Sequence, residues 1–257
     1  MPFYGAAILC LDDENVQQVL PKVRRRTITY GFSSQADLCI VEANCLPFLS
    51  EFRLRFRGED LGMFSVKVPG RHNVWNATAA IAVALELEVP VEQIREGLKT
   101  YSGVDRRFQL RGEARGVKVI DDYGHHPTEI RATLGAAKLC QFKKVHVLFQ
   151  PHRYTRTAAL MDEFARSFHQ ADSVFVLDIY AASEQPIEGI SSEALVEKIR
   201  GFGHRGAAYA GSMENAIAAV VAVAEEGDAV ITLGAGSIWQ AGDKVLALLR
   251  GEGNHGG

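Results

Sequence analysis

The sequence predicts an α/β protein whose second half is a parallel sheet covered by helices on both faces, preceded by a smaller α/β piece in which extended segments dominate. Three observations carry that expectation. From about Gly112 onward, short valine-rich apolar runs alternate with longer segments of helical spacing. The runs are unbroken rather than alternating, as strands buried on both faces are. Polar or glycine-containing loops separate each run from the helical segment after it, which is the rhythm of β-α units.

In order along the chain, strands are expected at Ala6 to Leu11, Thr27 to Tyr30, Leu38 to Glu42, Phe52 to Phe56 and Met63 to Val68. A helix start is expected at Asp12 to Glu14. After "PG" come two helices, Asn73 to Leu87 and Val91 to Tyr101, and Asn73 is a good N-cap. The segment Ser102 to Arg111 reads as a linker, with the boundary near Gly103.

Beyond it, Val117 to Ile120 leads into a helix from Pro127, and Val145 to Phe149 into Ala158 to Phe168. Val174 to Ile179 leads into Glu193 to Arg200, Ala207 to Ala210 into Met213 to Ala224, and Ala229 to Leu233 into Ile238 to Leu249.

Composition excludes several classes. The 257 residues are 47% hydrophobic and 23% charged with a net charge of -3, an ordinary globular balance. The triplet Arg24, Arg25, Arg26 is the largest basic cluster and reads as a solvated face, so no nucleic-acid partner is expected. No apolar run approaches membrane-spanning length and no signal peptide precedes the first strand, so the expectation is no membrane and a cytoplasmic location. Cys10, Cys39, Cys45 and Cys140 lack zinc-ligand spacing and read as buried free thiols. The glycine-rich tail from Gly251 reads as a frayed end.

In an open parallel sheet, ligands bind outside the carboxyl ends of the strands. The loops there supply Asp121, Asp122, Tyr123, His125, His126, His152, Arg153, Arg156, Asp178, Tyr180 and Glu184. Pro127 suits the first helical position, and Glu129 the positive end of that helix. A plain helix cap would use one short polar residue, whereas this loop holds two acids and two histidines. Arg153 and Arg156 suit a carboxylate or phosphate; two solvated arginines are the plainer alternative. Asn76, near the start of the alanine-rich helix, could present an amide to a purine or a phosphate, or serve only the helix start. "LGAGS" hints at phosphate approach, but Trp239 stands where the dinucleotide fingerprint needs glycine. No G-x-x-x-x-G-K-[ST] phosphate loop occurs.

The segments "MPFYG", "TYGF", "VPGRHNVWNATAA", "GVDRRFQLRGE", "DDYGHHPTEIRATL", "LFQPHRYTRT" and "GAGSIWQ" together resemble the Mur ligases. Most similar are the members that join L-alanine to the carboxylate of UDP-N-acetylmuramate in peptidoglycan biosynthesis. The resemblance implies residues 1–103 as the C-terminal part of the central, ATP-binding domain and residues 104–257 as the Rossmann-like C-terminal domain. It also implies that the UDP-sugar domain, the phosphate-loop lysine and the main magnesium ligands lie outside this chain, leaving a separately supplied N-terminal half as a partner and this portion alone inactive.

The implied chemistry is activation of the muramic carboxylate by ATP with magnesium, followed by attack of the alanine amine. Asn73, Asn76, Arg107 and Asp122 are then implied in ATP binding, with Asp122 toward the ribose. Tyr123, His125, His152, Arg153 and Arg156 are implied in the alanine pocket, and Arg107 and His125 in catalysis. Two alternatives stand beside this reading. One is a murein-peptide recycling ligase of the same family; the other is a metal-dependent hydrolase using Asp121, Asp122, His125, His126 and His152 as ligands. A binding module without chemistry of its own is a third.

Overall fold

The computed structural model describes residues 5–252. The first four residues of "MPFYG" and the tail from residue 253, expected to fray, lie outside the described residues. The chain separates after Gly103 into two compact units.

The first unit carries a five-stranded sheet in the order β1-β2-β3-β4-β5. Its strands are β1 (Ala6–Cys10), β2 (Arg26–Gly31), β3 (Leu38–Leu46), β4 (Leu49–Phe56) and β5 (Glu59–Val66). β1, β2 and β3 run parallel, while β3, β4 and β5 form antiparallel hairpins. β3 and β4 extend well beyond their expected limits, because Asn44, Ser50 and Glu51 join the ladder with no apolar signal of their own. The turn from β4 to β5 is Arg57-Gly58, both at positive φ (49° and 93°), which matches the twist of the two strands.

Helix α1 (Glu14–Val19) is capped by Asp13, whose carboxylate accepts from the amides of Asn15 and Val16. Helices α2 (Arg71–Glu86) and α3 (Val91–Thr100) send Val74, Ile81 and Ile94 into one core with Phe52, Leu54 and Phe64. The expected N-cap at Asn73 is corrected: α2 begins two residues earlier. Gly70, at φ 101°, is its cap, and Asn73 Nδ2 donates to the Pro69 carbonyl at 2.7 Å. A conformation open to glycine sets the start, so the amide of Asn73 is spent inside the first turn.

The second unit carries a six-stranded sheet in the order β10-β9-β8-β11-β7-β6. Its elements are β6 (Gln109–Ala114), β7 (Val117–Asp122), α4 (Pro127–Leu139), β8 (Val145–Phe149), α5 (Tyr154–Ala159), α6 (Met161–Ala165), β9 (Ser173–Leu177), α7 (Ser192–Gly201), β10 (Ala207–Gly211), α8 (Met213–Val223), β11 (Ala229–Leu233) and α9 (Trp239–Arg250). β7 to β11 are parallel throughout, as expected, and β6 adds an antiparallel edge.

β6 is the largest departure from expectation in this unit, because its residues were read partly as linker. Arg111 and Glu113 lie on an edge strand, where charge is tolerated and even protective. The helix expected at Ala158 to Phe168 is instead two short helices, α5 and α6, broken at Leu160. Leu148 packs with Val220, Val245 and Leu249 of α8 and α9 on one face of the sheet, while its neighbour Phe149 meets Phe164 and Phe168. At the amino ends of the strands, buried His146 links Asp228 (3.0 Å) to Ser173 (2.7 Å), tying β8, β11 and β9 together. Of the four thiols only Cys39 is buried; Cys10, Cys45 and Cys140 are half-exposed, which corrects the expectation for them.

Candidate functional site

The carboxyl ends of β7, β8 and β11 lie side by side, with Leu233 in register with both Asp122 and Phe149. The loops after these strands build the site. The first is held by its own main chain. His126 is the N-cap of α4, accepting from the Thr128 amide through Nδ1 at 3.3 Å. Glu129 accepts from the amides of His125 (2.9 Å) and His126 (3.1 Å). Burial pushes the Glu129 carboxyl up, but the His125 amide and charge, the His126 amide and Arg107 outweigh it and hold it below the usual range.

Asp122 closes the loop from beneath. It is 6% exposed, and its carboxylate accepts from the Phe108 amide at 2.8 Å and the Gly124 amide at 2.7 Å. Burial outweighs these bonds and pushes its pKa up to about 6. Both oxygens of Asp122, the residue expected to reach a ribose, accept main-chain amides and fix the loop. Asp121 is likewise buried, bonded to Arg106 (3.0 Å) and to Thr232 Oγ1 (2.5 Å).

Tyr123, His125, His152 and Tyr180 are brought together as a row of rings. Tyr123 and His125 meet edge to face at 5.1 Å, His125 and His152 lie 6.0 Å apart, and His152 stacks on Tyr180 at 5.4 Å. The main chain supports the last pair: the Arg153 amide donates to the Tyr180 carbonyl and the Tyr180 amide to the Pro151 carbonyl, both at 2.8 Å. Arg153 itself sits at φ 74°. Burial first, and then the charges of Arg156, His125 and Arg153, lower the pKa of His152.

Cations flank the row. Arg156 Nη1 donates to His152 Nδ1 at 3.4 Å. Arg153 is exposed and lies 3.8 Å from Glu184, whose carboxylate is also held by Thr155. Arg107 lies over the Tyr123 ring at 5.7 Å and 3.8 Å from Glu129. The arrangement offers cationic and imidazole donors to a small anion, with little carboxylate left free to oppose it.

Other residues stand apart. His126 is exposed and spent on the cap. Asp178 accepts from the Tyr209 hydroxyl at 2.6 Å. Asn73 and Asn76 belong to the first unit, where Asn76 is exposed on α2. Of the residues considered as metal ligands, Asp121, Asp122 and His126 already have protein partners, and no group of three metal-binding side chains occurs among the described residues.

Two residues went unremarked in the sequence. Arg106 pairs with Asp121, donates to the Gly234 carbonyl at 2.5 Å and lies 4.9 Å over the Tyr123 ring. The doublet Arg106-Arg107 ahead of the doublet Asp121-Asp122 was the available signal. Gln150, just after β8, is buried with its Oε1 unpartnered among the described residues. A Cβ on Gly236 would fall 2.5 Å from that oxygen and 2.9 Å from the Tyr180 ring, so the "GAGS" loop can lie there only as glycine.

Comparison with known proteins gives concordant matches. The Mur ligase middle domain matches residues 1–84, and the Mur ligase, glutamate ligase domain matches residues 106–236. The chain is 67% identical over 253 residues to a UDP-N-acetylmuramate--L-alanine ligase of Solibacter usitatus, covering 98% of this chain and 54% of that protein. A protein of the same name from Koribacter versatilis is 52% identical, with 97% and 54% covered. The crystal structure of the UDP-N-acetylmuramate-alanine ligase of Thermotoga maritima superposes with a TM-score of 0.74 at 25% identity, covering 88% of this chain and 48% of that one. The chain thus spans about half the length of the curated relatives it matches.

Proposed function

We propose, from the premise that the chain belongs to the Mur ligase family, that it is the amino-acid-binding portion of a ligase joining L-alanine to the carboxylate of UDP-N-acetylmuramate in peptidoglycan synthesis. The observation that carries this reading is the ring row Tyr123, His125, His152, Tyr180 with Arg153 and Arg156 beside it at the carboxyl edge of the sheet. The 67% identity to an alanine-adding ligase supports alanine as the amino acid.

In this reading the alanine carboxylate pairs with Arg156 and Arg153 beside His152, and His125 orients the amine. ATP supplies the phosphoryl group that activates the sugar's carboxylate. Arg107, exposed beside Tyr123, is suited to face phosphate oxygens as charge develops. Asn76 is the amide free to meet the nucleotide; Asn73 offers only what its bond to Pro69 leaves. Asp122 serves by fixing the loop. No group of three metal-binding side chains occurs among the described residues, and no step here is assigned to magnesium.

The remaining half of such a ligase is the natural partner. β1 lies at the edge of its sheet with only β2 beside it among the described residues, an open ladder for a further strand. A reaction that consumes a nucleotide and a UDP-sugar places the protein in the cytoplasm; among the described residues no helix is long and apolar enough to cross a membrane.

The test is calorimetric titration of the chain with L-alanine, glycine, L-serine and a murein tripeptide, then ligation assays with the missing half supplied. L-alanine should bind best, and ligation should require both halves. Preference for the tripeptide would favour the recycling ligase instead.

A further inference from the structure

We propose that the two imidazoles of the site are fixed as opposite tautomers, so that His125 presents a bare Nε2 that takes a proton from the amino acid's ammonium while His152 presents an Nε2–H that donates to its carboxylate. The inference rests on the amino-acid reading above and assigns the proton-accepting atom within it.

The argument is one of donors and acceptors. His125 Nδ1 lies 3.0 Å from the Tyr123 carbonyl oxygen. A carbonyl oxygen only accepts, so Nδ1 carries the hydrogen and Nε2 of the neutral ring is bare. His152 Nδ1 lies 3.4 Å from Arg156 Nη1. A guanidinium only donates, so this Nδ1 is the acceptor and the hydrogen sits on Nε2. The neighbouring rings are therefore set in opposite senses by one main-chain carbonyl and one arginine.

The surrounding charges keep the roles apart. His125 has Glu129 Oε2 3.5 Å from its Nδ1, a carboxylate placed to stabilise the imidazolium once Nε2 is protonated. Arg107 lies 3.8 Å from the same carboxylate and moderates that support, while Arg106 stacks over Tyr123 and Asp122 is turned inward onto amides. Burial first, and then the charges of Arg156, His125 and Arg153, lower the pKa of His152, with Glu184 opposing them.

The step balances without a further reactant. An N–H bond of the ammonium breaks, its electron pair stays on nitrogen, the proton bonds to His125 Nε2, and the positive charge passes to the imidazole. The product is the neutral amine that amide formation requires as nucleophile. Arg153 and Arg156 favour the transfer by lowering the ammonium's proton affinity.

Nitrogen-15 NMR of the full chain with labelled histidine decides the matter, with His125→Gln and His152→Gln assigning the signals. Without ligand at neutral pH, His125 should show a protonated Nδ1 and bare Nε2, and His152 the reverse; either ring in the other tautomer overturns the proposal. Arg156→Met should release His152 into a tautomer mixture and leave His125 unchanged; no change in His152 removes the arginine's role. L-alanine should shift His125 Nε2 toward the protonated type, whereas propionate, a carboxylate without an amine, should perturb only His152. Equal effects of both ligands on His125 overturn the base assignment. If L-alanine moves neither ring, the amino-acid reading fails and takes the substrate half of this proposal with it, while the ligand-free spectrum still decides the tautomers.

Discussion

Arg106 Nε donates to Asp121 Oδ2 at 3.0 Å, joining the segment before β6 to a carboxylate on β7 that is 1% exposed. Removing one partner of such a pair strands the other charge. Arg106→Met is therefore expected to lower unfolding stability by about 3 kcal/mol, read from denaturant midpoints. The double variant Arg106→Met, Asp121→Asn should recover a good part of the loss. Equal stability of Arg106→Met and the native protein would sink the assignment.

Asp122 makes a pH prediction of definite sign. Its folded pKa, pushed up to about 6 by burial, exceeds the unfolded value of about 3.9. The carboxyl therefore contributes stability fully below about pH 4, and that contribution is lost as pH rises through about 6; two pKa units correspond to about 3 kcal/mol. The gap in unfolding free energy between native protein and Asp122→Asn should change by this order between pH 4 and pH 7. Parallel pH curves would show that the group is ionised in both states.

The contact at Gly236 predicts a steric effect on the site. In Gly236→Ala the new methyl meets Gln150 Oε1 and the Tyr180 ring, costing about 1–3 kcal/mol. Because Tyr180 stacks on His152, the His152 ring resonances should shift as well. A well-folded variant with an unmoved His152 spectrum would mean that the loop relaxes elsewhere.

Arg156 and Arg153 should differ in ligand binding. Arg156 is half-buried against His152, and its loss should weaken L-alanine binding roughly 10- to 100-fold, as expected for hydrogen bonds to a charged group. Arg153 is exposed and already near Glu184, so Arg153→Met should cost less. Calorimetry with both variants decides, and the reverse order would exchange their roles.

These particulars show what a sequence makes legible. Pro127 can occupy only the first helical turn, and α4 begins there; unbroken valine runs have one sensible setting, and β7, β8 and β11 form the centre of a parallel sheet. β6 was hidden because an edge strand needs no apolar alternation on its open side. The β-α loops were legible as a collection of polar residues, but proximity does not fix direction. Asp122 stood in the expected loop and turned inward, since burial beneath two amides is invisible in composition. His126 likewise followed its backbone angle into a cap while His125, one residue earlier, joined the rings.

The place of β11 carries a consequence for biosynthesis. Among the described residues Ala229 to Leu233 form the strand latest in chain order, yet that strand lies between β7 and β8. The loops bearing His125 and His152 grow from those two flanking strands, so the imidazoles take up their spacing only once β11 is in place. Nascent chains that stop short of Leu233 should hold the earlier β-α units without the paired rings, and the site arises when β11 inserts between its neighbours.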